Sequence, residues 1–161
     1  NNLINCFLPG FARTDAALVM RALFSYGIIT KEKLISRSEN FKKSLSTNDK
    51  GDWYPIIRDN SFTSKLPGTI SQNKKWIQCL AIMIFPELSE NPEFLVTKEW
   101  KLFLMLKSLC EYFLAPKLSD HQVELQTNLL HEYLRVRLSL ITEDEPTKIS
   151  PKGSFINDVR F

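Results

Sequence analysis

The sequence predicts an all-α domain, with about five helices around two buried core helices and one long irregular loop. Three observations carry that reading. Apolar residues recur at helical spacing along most of the chain, and two stretches, 69–85 and 97–114, are apolar on nearly every side. Only 5 of the 161 residues are glycine, too few for a barrel or sandwich rich in tight turns. An apolar content of 43% with 24% charged residues is ordinary globular composition, and at this length one core buries roughly 70% of the surface that the unfolded chain exposes. Residues 1–161 therefore read as a single helical domain. Because the chain opens on Asn1 rather than Met, it reads as a fragment of a longer protein.

The elements follow in order. Thr14 and Asp15 open an amphipathic run in which Ala17, Leu18, Met20, Leu23 and Phe24 fall at helical spacing, and Gly27 is placed to end it, which predicts a helix over 14–26. Thr30 caps a second helix over 31–43, with Glu32 in its first turn and Leu34, Ile35 and Ser38 on one side. Periodicity then disappears from Ser44 to Pro67, a long loop in which Trp53, Tyr54, Ile56, Ile57 and Phe62 point to partial anchoring on the core. Thr69 or Ser71 caps the first core helix, which carries Trp76, Ile77, Leu80, Ala81, Met83, Ile84 and Phe85; Pro86 ends it or comes just after its end. Asn91 and Pro92 restart the chain. The second core helix leaves only Lys101, Lys107, Ser108 and Glu111 for water. Ser119 with Gln122 forms a capping box for a last helix reaching Ile141, with Val123, Leu130, Leu134 and Leu138 as its inner face.

Charge is unevenly spread. Residues 31–75 carry 10 Lys or Arg against 5 Asp or Glu, a balance of +5, and residues 86–145 carry 6 against 11, a balance of −5. Such polarity attracts a phosphate backbone to one side or draws the two halves, or a neighbouring domain, together. Lys42, Lys43, Lys65, Lys74 and Lys75 are the candidates for phosphate contact, and Trp53 and Tyr54 for base stacking.

Catalytic chemistry finds no constellation in the sequence. His121 and His131 lie ten residues apart on one predicted helix, about 280° around its axis, so they do not share a metal. No phosphate-cradling glycine motif, nucleophile elbow or Cys–His pairing occurs. The run Glu143, Asp144, Glu145 reads as a solvated helix end, and Cys6, Cys79 and Cys110, odd in number and widely spaced, as reduced thiols of the cytosol or nucleus. The longest apolar window, Cys79 to Phe85, is far short of the roughly 20 residues that span a bilayer, so no membrane partner is expected. The residues imply no cofactor and no bound metal.

Four stretches resemble a helical region of animal transposon-derived proteins of a ribonuclease H-like transposase lineage. The helix from Leu18 into YGIITKEKL resembles that family's helix followed by "G, two apolar, T, then L". KLPGTISQNKKW resembles its "L, small, G, T, two residues, Q, N or T, one or two residues, W" turn, and EWKLFLMLKSLCEYFLAPKLS its "W, apolar run, acidic or polar, apolar, A or S, P" helix. Pro151 and Lys152 resemble the start of its "P, K, H, H, F" step. Where the family carries His, Asp, two apolar residues, Glu and Gly, this chain has Asn5, Cys6, Phe7, Leu8, Pro9 and Gly10, so both acids are missing. The later His pair is replaced by Gly153 and Ser154, and the following His, Tyr, Pro step by Asp158, Val159 and Arg160. Two-metal phosphoryl transfer needs carboxylates to hold its ions, which neither Cys6 nor Pro9 supplies.

The resemblance therefore implies a non-catalytic, transposase-derived helical domain of a larger protein, nuclear ahead of cytoplasmic, serving DNA binding or protein interaction. Two alternatives stand beside it. One is a fragment of an active DNA transposase whose carboxylates lie outside this chain, and the other is a helical interaction module unrelated to transposition.

Overall fold

The computed structural model describes residues 8–45, 65–114 and 117–143. Among these residues the fold is all-α, with six α-helices and no strand. They are α1 (Arg13–Ser25), α2 (Lys31–Lys43), α3 (Ile70–Met83), α4 (Phe85–Glu90), α5 (Lys98–Leu114) and α6 (Asp120–Glu143). A π-helical turn, Leu8–Ala12, leads into α1, and a 3-10 turn, Pro92–Val96, leads into α5. Trp53, Tyr54, Cys6, Pro151, Lys152 and most of the expected long loop lie outside the described residues.

Local chemistry explains where the helices begin and end. The chain enters α1 already helical at Ala12, and the hydroxyl of Thr14, rather than capping, donates back to the carbonyl of Gly10. After Ser25 the amide of Gly27 donates to Phe24 O and that of Ile28 to Leu23 O. This is a Schellman closure that needs a left-handed residue, and Gly27 supplies φ 71°. Thr30 accepts from the amide of Lys33 at the start of α2. At α3 the capping residue is Thr69, which accepts from the amide of Gln72 while the Gln72 side chain accepts from the amide of Thr69. Ser119 and Gln122 repeat the same reciprocal box before α6.

One extra helix separates the structure from the five expected. Pro86 comes just after the end of α3. The break falls at Ile84, and Pro86 sits in the first turn of α4, where its missing N–H costs no hydrogen bond.

α1 is as central as the two expected core helices. Ala12, Ala16 and Val19 recur at i, i+4 and i+7 and are fully buried, and these small side chains let α1 lie close against α5. α6 runs antiparallel to α5, since Lys98 Nζ donates to Ser139 Oγ at 2.8 Å and Lys101 meets Glu132 at 3.1 Å. α2 meets the C-terminal end of α3 and the start of α4: Arg37 donates to Met83 O at 2.5 Å and pairs with Glu87 at 2.7 Å, and Lys33 lies 3.8 Å from the same carboxylate. A run of aromatic contacts, Tyr26 to Phe94 to Trp100 to Phe103, joins the end of α1 to the 3-10 turn and to α5.

Three expected faces are corrected. Leu104 stands 46% exposed on α5, because that helix has neighbours on part of its circumference only. Phe85, assigned to the core, is 66% exposed, and Ile82 is 67% exposed. On α6 the inner face is Tyr133, Val136, Arg137 and Leu140, whereas Val123 and Leu138 are exposed and Leu130 and Leu134 sit half-buried at its margin. The helix is turned by the buried ion pair described below.

Leu106 is fully buried, so Leu106→Ala is expected to cost about 2 to 5 kcal/mol by leaving a cavity. Leu104→Ala, two residues away on the same helix, should cost about 1 kcal/mol or less. Equal losses in denaturant melts would contradict the assignment of faces.

Gly68 has φ 95° between Pro67 and the cap Thr69. Gly68→Ala is accordingly expected to lower stability by about 1 kcal/mol or more, read as a lower denaturant midpoint at unchanged slope.

Candidate functional site

The strongest concentration of polar chemistry in the molecule is buried. Asp15 on α1 and Arg137 on α6 are each 1% exposed, 122 positions apart in sequence. Arg137 Nε donates to both carboxylate oxygens, at 2.9 and 2.8 Å. The Tyr133 hydroxyl donates a short hydrogen bond to Asp15 Oδ2. Above the guanidinium lies the ring of Phe11, 4.6 Å from its centroid, a cation–π contact that replaces part of the lost hydration. Arg137 Nη1 has no hydrogen-bond partner among the described residues.

Removal from water dominates the titration of this cluster. It pushes the Asp15 carboxyl up, opposed by the Arg137 charge and the Tyr133 hydroxyl. It also pushes the Tyr133 phenol well up, reinforced by the Asp15 charge. Arg21, half-buried on α1, is pulled down by burial, and Asp15 counters that shift. These groups bind one another closely, and the cluster ties α1 to α6. Sequence reasoning took Asp15 as a helix opener and missed Arg137. The available signal was a cation set among Tyr133, Val136 and Leu140 on one helical arc.

Glu87 is the second buried acid and takes Arg37 and Lys33. On the surface, Glu132 accepts from Lys101 and Arg135, and the Arg135 contact does most to hold its carboxyl down at about 2. Among the described residues no three His, Cys, Asp or Glu side chains gather closely enough to hold a metal, and no helix is long and apolar enough to cross a membrane.

The candidate nucleic-acid residues separate on the structure. Lys42 and Lys43 end α2, where positive charge suits the helix dipole, with Lys42 half-buried and Lys43 exposed. Lys65 is exposed four positions before the cap of α3, and Lys74 and Lys75 are half-buried in the first half of α3. Lys74 is near enough to Cys110 to oppose the rise of its thiol, which burial and Glu111 push to about 12. None of Lys42, Lys43 and Lys74 has an ion pair to another described residue. Trp53 and Tyr54 are outside the described residues, so the stacking half of the expected site has no geometry.

Comparison with family models, characterised proteins and solved structures finds no match to this chain.

Removing the Asp15 carboxylate leaves Arg137 buried without its counter-ion, and Asp15→Ala is expected to cost about 3 to 5 kcal/mol. The double variant Asp15→Leu with Arg137→Met, apolar on both sides, should recover much of that loss. A double variant as unstable as the sum of the singles would show that the two residues act independently.

Proposed function

We propose that the chain is a transposase-derived helical domain that keeps the family's scaffold without its catalytic edge, and that it serves as a binding module for protein or nucleic acid within a larger nuclear protein. The observation that carries this reading is the substitution pattern in the resembling stretches. Residues with a structural task are retained, and residues with a chemical one are not. Gly68, Thr69 and Gln72 of the family-like turn form the left-handed turn and capping box that start α3, and Trp100 packs in the core at the head of α5. Cys6 and Pro9 stand where the resemblance calls for metal-holding acids. Asp15 and Glu87, the two buried acids of the described residues, are already committed to arginines.

Nucleic acid enters this proposal through the lysines Lys42, Lys43, Lys65, Lys74 and Lys75. Contact there is to phosphates, hence insensitive to sequence and strongly dependent on salt.

The test has two arms. Incubated with supercoiled DNA and Mg²⁺ or Mn²⁺, the chain should give no more nicking than a mock-purified control, and chelator-sensitive cleavage above it would overturn the non-catalytic reading. In a duplex titration, Lys42→Ala with Lys43→Ala should make the slope of log affinity against log salt shallower by up to about 2. Lys74→Ala with Lys75→Ala should likewise make it shallower by up to about 2 while leaving any sequence preference unchanged.

A further inference from the structure

We draw no further inference here: the strongest candidate, the first half of α6 with Val123 and Leu125 exposed on it, is an unpartnered apolar face, and nothing in the structure shows what covers it.

Discussion

The ion pair between Asp15 and Arg137 is the constraint around which the rest of the fold is arranged. It joins the first and last described helices across the width of the domain, and it lies where water cannot replace either partner. A buried pair of this kind contributes little net stability compared with a well-packed apolar substitute, but an arrangement that separates its members is heavily penalised. Its effect is therefore selective. It sets the rotation of α6 about its own axis, bringing Tyr133, Val136 and Leu140 inward and leaving Val123 and Leu138 outside. The small residues of α1 serve the same end, because Ala12, Ala16 and Val19 let α5 approach while α6 closes over Asp15.

α2 is held differently, by polar contacts at one end. Arg37 bonds a carbonyl at the C-terminal end of α3 and pairs with Glu87, so the junction of α3 and α4 is fixed from the side of α2. This satisfies groups that a helix end otherwise leaves unbonded, and it spends the local positive charge. Ile82 and Phe85, on either side of that junction, stay outside.

Much of this was legible in the residues. The bounds of α2, α5 and the start of α6 agree with expectation to within a residue or so, because caps, proline positions and helical spacing act within about four residues of chain. Glycine at Gly27 and Gly68 announced the two left-handed positions for the same reason. The identity of the buried faces was less legible. α3, α5 and α6 each carry more apolar arc than their neighbours cover, and which part is covered depends on partners far away in sequence. The candidate site was legible only as a set of basic residues. How far each of them reaches water was decided by packing, which leaves Lys43 and Lys65 exposed and Lys42, Lys74 and Lys75 half-buried.

By itself the sequence determined the all-α class, five of the six helices of the described residues with most of their ends, and the absence of the two acids that the resemblance calls for, since each depends on residue type or on short-range hydrogen bonding. Only the tertiary structure decided that Asp15 is a buried counter-ion, that Arg137 belongs to the core, and that Ile82 and Phe85 face outward. A carboxylate at a helix start and a cation in an apolar arc look the same in sequence whether they meet or not. Burial and long-range pairing are properties of the packed chain, and no local rule encodes which of several apolar faces it covers.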